Sequence, residues 1–203
     1  MPTAEFSSWR GMGRQVGVTS RVSDAGSDGA VLLAPRLRTE RPQTISAMQK
    51  ITPFLWFDSQ AEEAAKFYIS VFKNGKITGT TRYTADGPGV EGTVMTVAFE
   101  LNGQKFIALN GGPHFKFTEA VSFVINCETE EEIDYYWEKL TADGGEDGQC
   151  GWLTDKYGLS WQLVPVQLAE WAMDAARFPR VMKAVLQMKK IDLRTLHQAY
   201  NGR

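Results

Sequence analysis

The chain has 203 residues, a net charge of −2 and 43% hydrophobic residues, which is typical of one soluble globular domain with an extension. The near-neutral charge, without a run of Lys or Arg, argues against nucleic-acid binding, and no apolar stretch reaches the roughly 20 residues that span a membrane. Two cysteines, Cys127 and Cys150, are too few for a disulfide framework and indicate a reducing compartment, with the cytoplasm as the default.

Residues 1–47 differ from the rest of the chain. They contain six arginines, no lysine and four acidic residues, are rich in Gly and Ser, and show no sustained hydrophobic period. Such a segment buries too little apolar surface to offset its ordering entropy. We interpret it as a disordered extension or as a start codon placed too early, with Met48 as an alternative start. An organellar transit peptide is the other interpretation, and the four acidic residues argue against it.

The first half of the remaining chain predicts a strand, a helix and then more strands. Residues 51–57 are an apolar run of strand length. The sequence Ser59-Gln60-Ala61-Glu62 has the spacing of a capping box, and apolar residues then recur at helical spacing as far as Asn74-Gly75. Further strands are predicted at 80–83, 93–101 and 105–109, and Asn102-Gly103 is a hairpin signal between the last two.

The second half repeats this order. Residues 121–125 read as a strand, and Thr129-Glu130-Glu131-Glu132 is a second capping box that opens a second amphipathic helix. A loop at 150–152 and a turn at 155–158, which Asp155 shapes, precede a final strand at 159–164. Beyond Pro165 the pattern becomes helical, with an apolar stripe that we expect to pack on the domain.

The two halves align at a fixed offset of 70 residues, which places Phe54 on Val124 and Ser59 on Thr129. Internal repetition indicates an architecture built from repeated units. We therefore predict an α+β fold of duplicated βαβββ units, whose curled sheets form a cup, over residues 48–165. A C-terminal helical segment, residues 166–203, packs on that domain.

Five segments resemble one known family: TPFLWFD (52–58), LNGGP (109–113), AVSF (120–123), CGWLTD (150–155) and GLSWQ (158–162). They are similar to the PhnB-like family, which is often labelled 3-demethylubiquinone-9 3-methyltransferase-like and lies within the vicinal-oxygen-chelate (glyoxalase/bleomycin resistance) superfamily. The resemblance covers roughly residues 48–203. It implies the duplicated fold and a homodimer, and it does not specify a reaction.

The residues do not support the chemistry that these labels suggest. No G-x-G motif follows a strand in the folded region, so we expect no S-adenosylmethionine cofactor and no methyl transfer. The glyoxalase-like relatives that this fold resembles hold a divalent metal with His and Glu on the cup strands. Here those strands offer no His, and Gln162 stands where the family pattern has Glu. We therefore expect no metal and no other cofactor.

Strand alternation predicts which side chains face the cup. Gln162 and Ser160 share one face of the last strand, while Trp161 and Leu163 share the other and pack under a helix. The predicted ligand-binding residues are Thr52, Phe54, Trp56, Asn110, His114, Ser122, Ser160 and Gln162. The alternative for the two aromatic residues is ordinary core.

Two further side chains have competing interpretations. His114 is the one weak candidate for a catalytic acid or base, and its alternative is a solvated loop residue. Cys127 ends a strand and reads as a small buried hydrophobe.

Three functions remain open. The first is a small-molecule binding protein, metal-free and homodimeric, with an aromatic cup and no partner among nucleic acids or membranes. The second is an enzyme of unknown reaction that acts on a small metabolite in the same cup. The third is an interaction protein, whose C-terminal helices mediate assembly.

Overall fold

The computed structural model describes residues 49–203, so the predicted disordered extension at 1–47 lies outside the described residues. The first half of the fold comprises β1 (Phe54–Phe57), α1 (Ala61–Phe72), β2 (Gly75–Arg82), β3 (Val94–Leu101) and β4 (Gln104–Asn110). The second half comprises β5 (Ser122–Cys127), α2 (Glu130–Thr141), β6 (Glu146–Asp147), β7 (Trp152–Thr154) and β8 (Ser160–Pro165). Three helices follow: α3 (Gln167–Trp171), α4 (Phe178–Val185) and α5 (Leu193–Asn201).

The strands form two four-stranded sheets with the same internal order. In the first sheet the order is β1-β4-β3-β2, and in the second it is β5-β8-β7-β6. In each sheet the first and last strands of the repeat are parallel and the other pairings are antiparallel. This common topology confirms the predicted α+β fold of duplicated βαβββ units with C-terminal helices. Both sheets are open rather than closed into a barrel.

The hairpin between β3 and β4 forms where the sequence predicts it. Asn102 and Gly103 have φ of 46° and 84°, so both central residues of the turn are left-handed. A two-residue hairpin of this kind matches the twist of its strands, and Asn-Gly is its preferred sequence. The turn therefore fixes the register of β3 against β4, in which Leu101 pairs with Gln104.

The first predicted capping box is wrong. The N-cap residue of α1 is Gln60, and its side chain makes no capping bond. The backbone N–H of Ala61 instead donates to Oδ1 of Asn110, 2.7 Å away, so the cap comes from the end of β4. The second capping box is confirmed, because Oγ1 of Thr129 accepts from the N–H of Glu132 at 3.3 Å.

The segment at 150–152, predicted as a loop, contains the start of a strand. Trp152 begins β7, which pairs with β8 on one side and with the two-residue β6 on the other. Neither strand is long enough to show an alternating hydrophobic pattern, which is why the sequence did not reveal them. The predicted strand at 80–83 is likewise the end of the longer β2.

Both helices cover one face of their sheet, and the covered faces share a single core. Leu55, Val97 and Phe99 of the first sheet and Trp161 and Leu163 of the second are buried in it. Tyr68 of α1 lies between the halves, with its ring centroid 5.6 Å from that of Trp161. The two halves therefore pack through their helix-covered sides.

The C-terminal helices pack against the second half. Val181, Val185 and Leu196 are buried, as the predicted packing stripe requires. The carboxylate of Glu130 at the start of α2 accepts from the N–H of Leu193 at 2.6 Å, which fixes the beginning of α5. No helix within residues 49–203 is both long enough and apolar enough to cross a membrane.

Candidate functional site

Each sheet has a face that no helix covers, and we call these the open faces. Because side chains alternate along a strand, the residues between buried core positions project to this side. The open face of the first sheet carries Phe54, Trp56, Thr96, Ala98, Ile107 and Leu109. The open face of the second sheet carries Ser122, Val124, Trp152, Thr154, Ser160 and Gln162.

The open face of the second sheet brings three predicted site residues together. Ser122 pairs in register with Ser160, and Val124 with Gln162. The Nε2 amide of Gln162 donates to Oγ of Ser122 at 2.8 Å. Trp161 and Leu163 lie on the opposite, helix-covered side, as alternation predicts. Val124 beside them is 50% exposed and Ser122 and Gln162 are half-buried, whereas Ser160 is buried.

The open face of the first sheet is aromatic. Phe54 is 55% exposed and Trp56 is half-buried, so neither belongs to the core of the chain. The indole N–H of Trp56 donates to the carbonyl of Gly112 at 2.8 Å, and the ring of Phe115 lies edge-on at 4.9 Å. Thr52, half-buried, lies two residues before this strand. The loop after β4 thus holds the Trp56 ring in one orientation.

Gly111 is required by this loop. A Cβ at Gly111 would lie 2.3 Å from the ring of Trp56, which is far inside van der Waals contact. The glycine therefore permits the backbone to approach the indole closely.

Asn110 uses both ends of its side-chain amide to hold the backbone. Its Oδ1 caps α1 through Ala61, and its Nδ2 donates to the carbonyl of Val94 at 3.0 Å. Its own carbonyl accepts from the hydroxyl of Tyr83. Asn110 therefore joins the ends of β1, β3 and β4, and its predicted contact with a ligand would compete with these bonds.

His114 lies apart from the open faces. It is exposed, and it lines a pocket of about 690 Å³ together with Asp58, Glu62, Tyr83 and Asn110. This pocket is at the ends of β1 and β4, next to the first turn of α1. The structure thus groups His114 with Asn110, while Ser122, Ser160 and Gln162 are on the second sheet.

A groove of about 750 Å³ runs between the two halves. Phe106 of β4 and Phe123 of β5 line it and contact each other edge-on, with ring centroids 5.4 Å apart. Aromatic side chains, Phe72, Tyr136 and Trp161, form part of its walls. Polar residues line it as well, namely Asn102, Gln104, Asn126 and Glu132.

Asp155 is the charged side chain buried at this junction. It is 2% exposed, and its carboxylate accepts from the Tyr68 hydroxyl and the Trp161 indole N–H, both at 2.9 Å. The backbone N–H groups of Tyr157 and Leu159 donate to its other oxygen. Burial raises the pKa of Asp155, and these four hydrogen bonds oppose the rise. The predicted turn-shaping role is confirmed, and the link to Tyr68 is an additional role that the sequence did not reveal.

The side chains on the strands do not fit a divalent metal centre. Within the described residues, no three His, Cys, Asp or Glu side chains are grouped so that they can hold a metal ion. At the position where the resemblance places a carboxylate, Gln162 offers an amide that donates to Ser122. Three charged or imidazole ligands of the kind such centres need are not assembled on either open face.

A nucleotide-like cofactor does not fit the connections between strand and helix either. β1 leads to α1 through Asp58, Ser59 and Gln60, and β5 leads to α2 through Glu128 and Thr129. Neither connection contains the glycines that let a backbone approach a phosphate or a similar group.

Comparisons with known proteins identify the family of the fold. The family model described as 3-demethylubiquinone-9 3-methyltransferase matches residues 49–164. The chain is 45% identical to the PhnB protein of Bacillus cereus, whose description carries the same methyltransferase name. The match covers 58% of this chain and 100% of that one, with a TM-score of 0.53.

Two other solved structures are more distant. A protein from Staphylococcus aureus is 31% identical over 57% of this chain and 94% of that one, with a TM-score of 0.27. The fosfomycin resistance protein FosX from Listeria monocytogenes is 16% identical over 59% of this chain and 94% of that one, with a TM-score of 0.43. None of the curated proteins matches the chain.

Proposed function

The chain belongs to the PhnB-like family described as 3-demethylubiquinone-9 3-methyltransferase, and on this premise we propose that it binds a small organic molecule without a metal. The observation that carries the proposal is the pair of open faces. One presents exposed Phe54 beside Trp56, and the other presents the Ser122–Gln162 hydrogen bond beside Val124. Apolar walls with a few fixed polar groups are the usual make-up of small-molecule sites.

We propose further that the open faces are closed by a second copy of the chain. In a single chain the halves pack through their helix-covered sides, so both open faces point away from the shared core. Phe54 and Val124 remain half-exposed there, which is costly for apolar side chains in water. A homodimer that opposes the open face of one chain to that of another buries them and encloses the cup.

Native mass spectrometry of the full chain, purified without added metal, tests both parts. We expect a dimer that carries an organic adduct and no stoichiometric metal. A bound divalent metal would contradict the metal-free proposal. A monomer by mass spectrometry and by light scattering would contradict the closure by a second copy.

Variants on the open faces locate the ligand. Phe54→Ser and Gln162→Ala should each remove the adduct, because both side chains project from the open faces and neither belongs to the buried core. Met173→Ala is the matched control, since Met173 is highly exposed in the turn that follows α3. Retention of the adduct in both open-face variants would refute a ligand on these faces.

An enzyme is the second candidate, and it is favoured by the pocket that contains His114. The imidazole there is accompanied by the carboxylates of Asp58 and Glu62, groups suited to proton transfer. If the co-purifying molecule is turned over by the wild-type chain, His114→Ala should abolish turnover while binding persists. Undiminished turnover would remove His114 from that role.

The two cysteines agree with the proposed cytoplasmic location. Both Cys127 and Cys150 are free thiols. A reducing compartment maintains this state.

A further inference from the structure

A small acidic pocket adjoins the open face of the second sheet. It has a volume of about 160 Å³ and is lined by Glu119, Glu146, Asp147, Trp152 and Ser160 among others. Its floor is a row of side chains that crosses three strands. Glu146 of β6 pairs with Thr154 of β7, which pairs with Ser160 of β8, so the three project to the same side of the sheet.

Ser160 at this floor is a buried hydroxyl that lacks a partner. The residue is 1% exposed, and Oγ makes no hydrogen bond within the described part of the chain. A buried polar atom left in this way is unfavourable, and in native proteins such an atom usually finds a partner in the protein, in an ordered water or in a bound ion. Its neighbour Ser122, in contrast, is engaged by Gln162.

The charge of the pocket is negative and partly uncompensated. Asp147 forms an ion pair with Lys189 at 2.9 Å. Within residues 49–203, Glu119 and Glu146 form neither a side-chain hydrogen bond nor an ion pair, and no Lys or Arg side chain lines the pocket. Two free carboxylates beside an unpartnered hydroxyl attract a group that carries positive charge and several N–H donors.

We infer that this pocket binds the primary ammonium group of a small organic cation. An ammonium has three donors and no acceptor, which matches the carboxylates of Glu119 and Glu146 and the hydroxyl of Ser160. The Trp152 indole in the wall adds the attraction of an aromatic ring for a cation. A quaternary ammonium has no N–H to give Ser160, so the pocket discriminates against it.

This inference rests on the proposed function and makes it more specific. Trp152 and Gln162 are register partners on the open face, so an ammonium in the pocket places the rest of its molecule along the predicted site. The ligand class is therefore an amine with a short polar or aromatic body. The volume of about 160 Å³ admits the ammonium with a short alkyl part and not a whole larger ligand.

Titration of the full chain with n-propylammonium chloride, followed by nitrogen–proton NMR, tests the inference. We expect shifts at the Trp152 indole N–H and at the Ser160 amide. Glu146→Gln and Glu119→Gln should each weaken binding at least about threefold, and added salt should weaken it further. Glu91→Gln is the matched control, because Glu91 is exposed in a loop of the first half. Tetramethylammonium should bind more weakly, and the neutral 1-propanol should leave these resonances unmoved.

The inference is overturned if n-propylammonium moves neither resonance, or if the Glu146→Gln and Glu119→Gln variants bind it as tightly as the Glu91→Gln control. It is also overturned if 1-propanol gives the same shifts, since the pocket would then select an apolar chain rather than a charge. These outcomes are separate from the proposed function. A co-purified molecule on the open faces would sustain that function even where n-propylammonium fails to bind the pocket.

Discussion

Position 162 shows how one side chain changes the chemistry that a strand offers. An amide can accept hydrogen bonds but brings no charge for a metal. In the structure Gln162 donates to Ser122, which holds both side chains on the open face. Two other single residues also shape these surfaces. Gly111 lets the backbone approach the Trp56 ring closely, and Ser160 has a buried hydroxyl without a hydrogen-bond partner among the described residues. The local chemistry of the site therefore depends on residues that are small or uncharged.

The thiol of Cys127 gives a prediction at this scale. Burial is the main cause that raises its pKa from 9.0 to about 12, and the residue has no exposed surface. At mildly alkaline pH the thiolate fraction should fall by a factor on the order of a thousand relative to an ordinary thiol. In a Cys150→Ser variant, where Cys127 is the sole cysteine of the sequence, we expect almost no reaction with a thiol reagent until urea unfolds the chain.

The complementary variant supplies the control for this experiment. Cys127→Ser retains Cys150, which is half-exposed, and should react in the native state. Rapid native modification of Cys127 would mean that the second half opens locally.

At the scale of elements, the two helices begin by different means although their sequences look alike. Thr129 caps α2 from within its own segment, whereas α1 takes its cap from Asn110, 49 residues away. Ser59, like Thr129, is a hydroxyl residue three positions before a Glu, but it makes no capping bond. A capping motif in the sequence shows only that a local side chain could cap the helix. A side chain from a neighbouring strand can make the capping hydrogen bond in its place.

Asn110→Ala tests this origin of the α1 cap. The change removes the bond to Ala61 and the bond to Val94, so we expect a loss of about 1–2 kcal/mol in the free energy of unfolding. Urea denaturation measures it, with Asn126→Ala on the exposed edge of β5 as the control. Ser59→Ala should change the stability little. A larger effect at Ser59 than at Asn110 would restore the capping box that the structure contradicts.

At the scale of the whole molecule, the duplicated halves are joined by a buried polar link. Asp155 in the second half accepts from Tyr68 of α1 in the first, and the Tyr68 ring contacts Trp161. The 70-residue repeat predicts two similar units, but it does not indicate which faces of the two units pack together. In this chain the helix-covered faces meet, which leaves the open faces available for a ligand or a second copy.

Replacement of Asp155 by Asn tests this link. An amide offers one acceptor oxygen to the four donors that surround the carboxylate, so several buried N–H and O–H groups lose partners. We expect a loss of about 3 kcal/mol or more in the free energy of unfolding. Asp86→Asn, in an exposed turn, is the control. A loss in the free energy of unfolding no larger than that of the Asp86→Asn control would show that the link contributes nothing to stability.

The wild type and the Asp155→Asn variant should also differ in how their stability depends on pH. Burial raises the folded-state pKa of Asp155 above the ordinary 3.8, so the folded chain binds a proton at this carboxyl more tightly than the unfolded chain does. Its contribution to stability is fully present below pH 3.8 and is lost as the pH rises through the folded-state pKa. The stability difference between the wild type and Asp155→Asn should therefore widen as the pH is lowered through this window. A difference that narrows on acidification would reverse the sign of the shift.

The sequence by itself determined the repeat, its order of strands and helices, the Asn102-Gly103 turn and the alternation that separates Trp161 from Gln162, because each is encoded by residues close together in the chain. It did not reveal β6 and β7, whose few residues show no period, or the cap that Asn110 supplies to α1. Only the tertiary structure placed Glu146, Thr154 and Ser160 in one row, buried Asp155 against Tyr68, and turned the two open faces outward. These features depend on strand register and on the packing of one half against the other, which are set by contacts between residues far apart in sequence.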